Sequence, residues 1–244
     1  MDYWSRQSSG IVLQFSKLVS PATMDVLRNA LRSGENNCRD MAIDIIKRCG
    51  IRELTQDLVK LFCDDTEPCE IRKSAGYALQ WMEIPAAELK MCKVVLEQAR
   101  CSQGLKGLAF RMLWPYELTA KEMTPHLKTM RHSVRDSYSM WITDDCPERL
   151  SVMSYADALD MVQWAATGFE DGDDVIHSLK DLKKKVFTYC FKKFDTIEMY
   201  DALAVIYEVF SARCESPIEL TQDADDRKDY KCSEHEFNSC VDKR

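Results

Sequence analysis

Four segments of the chain write one helix pattern: NCRDMAIDII, EIRKSAGYAL, GLKGLAFRML and SVRDSYSMWI. They align on Cys38-Arg39-Asp40-Met41-Ala42, Ile71-Arg72-Lys73-Ser74-Ala75, Leu105-Lys106-Gly107-Leu108-Ala109 and Val134-Arg135-Asp136-Ser137-Tyr138. Each has a small or apolar residue, then a base, then a small or aromatic residue three positions further on. The bases Arg39, Arg72, Lys106 and Arg135 recur at offsets of 33, 34 and 29 residues. A helix of about 10–12 residues, a turn, a second helix and another turn use up that length. Neither helix buries its apolar stripe alone, so neighbouring pairs must stack. The expected fold is all-α, an α-solenoid of antiparallel helix pairs with a C-terminal helical extension.

The pattern predicts its own packing. Ala42, Ala75 and Ala109 allow two helices to approach closely. Arg39, Arg72, Lys106 and Arg135 lie at helix starts, the less favourable end for a cation. Each is therefore expected to reach a neighbouring acid or carbonyl, as a ladder between repeats. Met41, Ala42, Ile45 and Ile46 form the expected stripe of the first repeated helix. Partner helices carry Leu54, Leu58, Leu61 and Phe62 in ELTQDLVKLFC, and Leu89, Cys92, Leu96 and Ala99 in AAELKMCKVVLEQA. Ser20-Pro21 reads as an N-cap with proline at the first helical position. Thr119 with Glu122, and Asp195 with Glu198, have capping-box spacing. Gly34 and Gly50 fall where helices end. Pro125 should break or kink the helix begun at Ala120.

The rhythm changes after Thr143. SYADALDMVQWAA is one helix with Tyr155, Leu159, Val162 and Ala166 on its stripe; helices over Val175–Lys193 and Ile197–Ala212 follow. The expected division is an N-terminal segment over 1–20, helical repeats over 21–143, a helical extension over 144–214 and a loose polar tail over 215–244.

Composition narrows function. The net charge of −7 argues against a general nucleic-acid binder, which needs a basic face for phosphates. No run approaches the ~20 apolar residues of a membrane span. The opening MDYWSRQSSGIVLQF has no apolar core or small-residue cleavage site of a secretory signal, so the expected location is cytoplasmic. The eleven cysteines then read as reduced, structural thiols.

Catalytic and cofactor motifs are missing. There is no GxxxxGK[ST], GxSxG or HExxH. The glycines of GLKGLAF read as helix packing. Glu170-Asp171-Gly172-Asp173-Asp174 lacks the alternating ligands of a calcium loop. Cys232, His235 and Cys240, with Cys214 as a fourth, form part of a zinc set, but the spacing favours a loose tail. His126, His132 and His177 have no nucleophile at telling spacing. Trp81, Trp114, Trp141 and Trp164 read as core or inter-repeat packing, and Lys183-Lys184-Lys185 as a solvated face. The expected inventory is no catalytic residue, no cofactor and no metal.

Residues 104–127, GLKGLAFRMLWPYELTAKEMTPHL, resemble a segment of bacterial NACHT-type STAND NTPases. In that family a HEAT-like array contains a helix ending in Leu-Trp-Pro, then a Leu-Thr/Ser step into an acidic helix. Here these are Leu113, Trp114 and Pro115, then Leu118, Thr119 and Glu122. Tyr138-Ser139-Met140-Trp141-Ile142 and Ala158-Leu159-Asp160 with Trp164 look similar to the continuation. The resemblance covers roughly residues 25–215. It implies a HEAT-like sensor or interaction module of an antiviral defence protein. Its partner would be a viral or cellular protein, or a separately encoded NTPase. This sequence holds no NTPase module, so ATP hydrolysis is not carried over; the expectation is a fragment, a split subunit or a degraded gene. The second reading is a HEAT-like DNA glycosylase, against which the negative charge and the lack of a basic stripe weigh.

Overall fold

Ser20 and Pro21 start the first described helix as their chemistry requires. The Ser20 hydroxyl accepts from the Thr23 amide at 3.2 Å, and Pro21 fills the first turn, where no amide partner is needed. A computed structural model describes residues 20–99, 101–127, 136–167 and 177–211. Among these residues the chain is all-helical, with no strand. It divides into two compact units, Met1–Thr119 with Val134–Trp141, and Ala120–Ser133 with Ile142–Arg244.

The first unit holds α1 (Pro21–Leu31), α2 (Asn36–Cys49), α3 (Thr55–Cys63), α4 (Cys69–Leu79), α5 (Ala86–Met91), α6 (Val94–Glu97) and α7 (Gln103–Leu113). In the second, α8 (Ala120–Met123) leads, and α9 (Ser137–Met140) returns to the first. The four repeated segments are α2, α4, α7 and α9, and they pack in that order, each on the next. The remaining helices flank this row: α1 packs on α2, α3 on α4, and both α5 and α6 on α7.

The row is tight because small residues line it. Ala42, Ala75 and Ala109 are buried as expected, and Gly76 and Gly107 join them. A methyl group on Gly76 would meet the Phe62 ring at 2.8 Å. One on Gly107 would fall inside the backbone of Ser137 and Tyr138. Beyond that contact Phe110 packs on Trp141 with centroids 4.6 Å apart and on Tyr138 at 6.1 Å. Leu58 and Phe62 of α3 are fully buried, each worth about 1.5–3 kcal/mol by transfer from water.

Several stripes face differently from expectation. On α2 the buried set is Arg39, Ala42, Ile43 and Ile46, while Met41 is 66% and Ile45 38% exposed. Neighbours on two sides, α1 and α4, select the face centred on Ile43 and Ile46. The AAELKMCKVVLEQA helix is two pieces, α5 and α6. Between them the amides of Cys92, Lys93, Val95 and Leu96 bond three residues back, a tighter winding that buries Cys92, Val95 and Leu96. Ala99 is exposed. Helix α2 ends as expected at Gly50, whose φ of 62° suits glycine.

In the second unit, Ala120–Met123 stops where Pro125 enters a 3-10 turn, Thr124–His126. A π turn, Trp141–Asp145, precedes α10 (Cys146–Arg149). Helix α11 (Tyr155–Ala166) is central, packed on α8, α12 (His177–Lys193) and α13 (Ile197–Ser211). Its buried stripe is Ala158, Met161, Val162 and Ala165, sharing only Val162 with the expected one. Asp157 accepts from the Ala120 amide at 2.7 Å, fixing the start of α8. At the start of α13 the Met199 amide bonds to Thr196 rather than to Asp195. Asp195 and Glu198 instead accept from Tyr200 and Tyr155 hydroxyls. Lys183, expected in solvent, is buried: its ammonium donates to Thr167 O at 2.6 Å and lies 5.1 Å from the Trp164 ring centroid. That places a cation on the carbonyl end of α11, the end its dipole favours.

Two glycines of α7 have opposite expected responses. Gly107→Ala drives a methyl into α9 backbone and should cost about 1–3 kcal/mol. Gly104→Ala meets the Lys73 side chain at 3.5 Å and the Asp136 carboxylate at 3.8 Å, both ordinary contacts, and should be neutral or stabilising by up to about 1 kcal/mol. Urea unfolding followed by tryptophan fluorescence measures both; equal effects would refute the close backbone approach.

Candidate functional site

The bases of the repeat solve a problem they create. Arg39 and Arg72 sit at the starts of their own helices, yet both are buried. Arg39 Nε donates to Leu31 O at 3.1 Å, and its Nη2 lies 2.6 Å from Glu67 Oε2. Arg72 Nε donates to Phe62 O at 3.0 Å, and its Nη2 to Gln98 Oε1. Leu31 ends α1 and Phe62 lies in the last turn of α3, so each guanidinium meets the carbonyl end of the preceding helix. Glu67 and Gln98 come from the loops that lead to the following repeated helices. Gln98 Nε2 in turn donates to Cys63 O at 2.6 Å.

Asp64 completes this network. The Thr66 hydroxyl and amide, at 2.7 and 2.9 Å, hold its carboxyl below the usual range, with the charges of Arg72 and Arg39 acting the same way. Lys106 is half-buried and makes no ion pair among the described residues. Arg135 lies outside the described residues, as do the Glu170–Asp174 loop, His132, Cys214, Cys232, His235 and Cys240. Sequence reasoning missed Glu67 and Gln98. Their shared offset of 31 residues, the same as that of Leu31 and Phe62, was the available signal.

Of the Leu-Trp-Pro motif, Leu113 and Trp114 are fully buried and Pro115 half-buried, with Trp114-Pro115 a cis peptide. Thr119 and Glu122 are exposed. Trp141 is buried, but Trp81, expected in packing, is 73% exposed. Lys47 Nζ sits 5.8 Å from its ring centroid. One turn before it on α4, Tyr77 is 41% exposed and shares a hydrogen bond with the Ser137 hydroxyl at the start of α9. The equivalent positions on α2 hold an ion pair, Asp44 to Arg48 at 2.6 Å. The outer edge of the repeated helices thus carries two aromatic rings beside opposite charges.

Thiols form the second chemical feature. The eight described cysteines are all free. Cys63 closes α3 and Cys92 follows α5; the Cys63 thiol donates to Met91 O at 3.5 Å and the Cys92 thiol to Glu88 O at 3.8 Å. The neighbouring Cys92 thiol holds Cys63 below the ordinary thiol value, against partial burial and with help from the Arg72 charge. The neighbouring Cys63, with burial, pushes Cys92 far up. Burial alone pushes Cys190 up to about 12, and burial, more than the Asp145 charge, raises Cys146. No group of three or more His, Cys, Asp or Glu side chains is placed to hold a metal ion among the described residues. Nor is any described helix long and apolar enough to cross a membrane.

Compared with protein-family models, curated proteins and solved structures, the chain finds no match in any of the three.

Arg72→Ala removes the donor from Phe62 O and Gln98 and should cost about 3 kcal/mol. Lys106→Ala, at the same register position without a pair, should cost less than about 1 kcal/mol. Urea unfolding of the two variants tests this; equal losses would remove the guanidinium clamp as a stabilising element.

Proposed function

We propose that the chain is a non-enzymatic protein-interaction or sensor module, built as a HEAT-like α-solenoid of antiparallel helix pairs with a C-terminal helical extension. The succession of α2, α4, α7 and α9 supports the solenoid reading. Such arrays present a long surface, because each layer adds one equivalent helix to the same edge. On that edge the observation that carries the reading is the exposed Trp81, held under Lys47 with Tyr77 one turn away. Trp, Tyr and Arg dominate the energetics of protein interfaces. An exposed indole has no comparable folding role, since its burial is what would stabilise the fold.

The resemblance of residues 104–127 gives this module its biological setting. On it, the chain is part of, or derived from, a cytoplasmic NACHT-type STAND defence protein. Its ligand is a viral or cellular protein, or a separately encoded NTPase. No enzymatic role is proposed.

The test places a photo-crosslinking amino acid at Tyr77 in the full chain and, separately, at Val205, which is exposed on α13. Crosslinking in cells should give a discrete protein adduct from position 77 and none from 205. Trp81→Ala should weaken that association by about 2 kcal/mol, roughly 30-fold, while leaving unfolding stability within about 0.5 kcal/mol. Equal adducts from both positions would sink the reading. Salt-dependent binding to a DNA duplex, lost with Trp81→Ala, would replace it with a nucleic-acid function.

A further inference from the structure

Cys63 and Cys92 are distant in sequence, yet α3 and α5 pack together and bring their ends into contact. Cys63 Sγ donates to Met91 O at 3.5 Å, the carbonyl that is bonded to the Cys92 amide nitrogen. The two sulfurs differ in access: Cys63 is half-buried and Cys92 is fully enclosed. The Arg72 guanidinium, fixed on Phe62 O and Gln98, stands beside Cys63. Gln98 also holds the Cys63 carbonyl. A partly accessible sulfur near a fixed cation, backed by an enclosed second thiol, is the arrangement of an attacking and a resolving cysteine.

We propose that Cys63 and Cys92 form a reversible dithiol–disulfide pair oxidised by hydroperoxides. The Cys63 thiolate attacks the terminal oxygen of the peroxide. The O–O bond breaks, the sulfur becomes a sulfenic acid, and the departing hydroxide or alkoxide takes a proton. The Cys92 sulfur then attacks the Cys63 sulfur. An S–S bond forms, the S–OH bond breaks, and the hydroxide leaves as water with the Cys92 proton. Two thiols supply two electrons to one peroxide. With hydrogen peroxide the balance is one disulfide and two waters.

Closure has a structural consequence. It brings the two sulfurs to about 2.05 Å and ends the thiol bonds of Cys63 to Met91 O and of Cys92 to Glu88 O. Cys63 is the last residue of α3 and its carbonyl belongs to the Arg72–Gln98 clamp. The change therefore reaches the junction between successive repeated helices. Buried Cys146 and Cys190 have no such arrangement, since burial leaves their thiols protonated and enclosed.

The reduced full chain is treated with hydrogen peroxide, quenched with a maleimide and digested without reduction for mass spectrometry. Cys69→Ser provides the background, because Cys69 would otherwise share a tryptic peptide with Cys63. The expected first product joins residues 61–72 to residues 91–93, and dithiothreitol reverses it. Cys63 should be lost about tenfold faster than the exposed Cys38, whose thiol Glu35 holds in the protonated form. In Cys92→Ser, dimedone should trap a sulfenic acid at Cys63. Loss of Cys63 no faster than Cys38 would overturn the proposal. So would oxidation of wild-type Cys63 without a link to Cys92; both readouts stand even where Cys92→Ser fails to fold.

Discussion

The first unit depends on how closely its repeated helices approach. Ordinary helix pairs sit about 8–10 Å apart because side chains separate them. At Gly107 nothing separates them, and α9 rests on the backbone of α7. That seat brings Tyr138 and Trp141 against Phe110, so three fully buried rings of the unit gather at one junction. It also brings the Ser137 hydroxyl within reach of Tyr77 on α4. Gly76 plays a related part against the Phe62 ring. Small residues here act through what they let others touch.

Arginine at a helix start is explained by the helix before it. A buried guanidinium must recover several kcal/mol of lost hydration, so it needs more than one partner. Arg39 and Arg72 each find a carbonyl with Nε and a loop side chain with Nη2. The planar fork reaches two directions at once, whereas an ammonium is a single point. Lys106, in the same register, stays half-buried and makes neither bond. The substitution of lysine for arginine thus marks where the repeat ceases to be uniform, between α7 and α9.

Helix ends were largely legible in the sequence, because caps act locally. Ser20, Pro21, Gly50 and Pro125 each impose their effect within one turn. The direction of a side chain was less legible. Met41, Ile43, Ile45 and Ile46 are all apolar, and periodicity alone allows two overlapping stripes. Packing by α1 and α4 decides between them. Lys183 could not be read from its charged neighbours, since its burial depends on Thr167 and Trp164 from another helix. The approach of Cys63 to Met91, next to Cys92, was hidden for the same reason. Nothing in the spacing of two cysteines tells that the ends of α3 and α5 meet.

The exposed edge inherits its order from this interior. Tyr77 cannot swing freely while its hydroxyl is held by Ser137, and Ser137 is held where α9 meets Gly107. Trp81 follows four residues later, in the turn that ends this helix, with Lys47 of α2 against its ring. Ordering a flexible side chain at an interface costs roughly 0.5–1.5 kcal/mol. Rings already ordered by the stack avoid most of that cost. On the proposed reading, the close approach at Gly107 is therefore a binding determinant as well as a packing one, though Gly107 itself is buried and touches no partner.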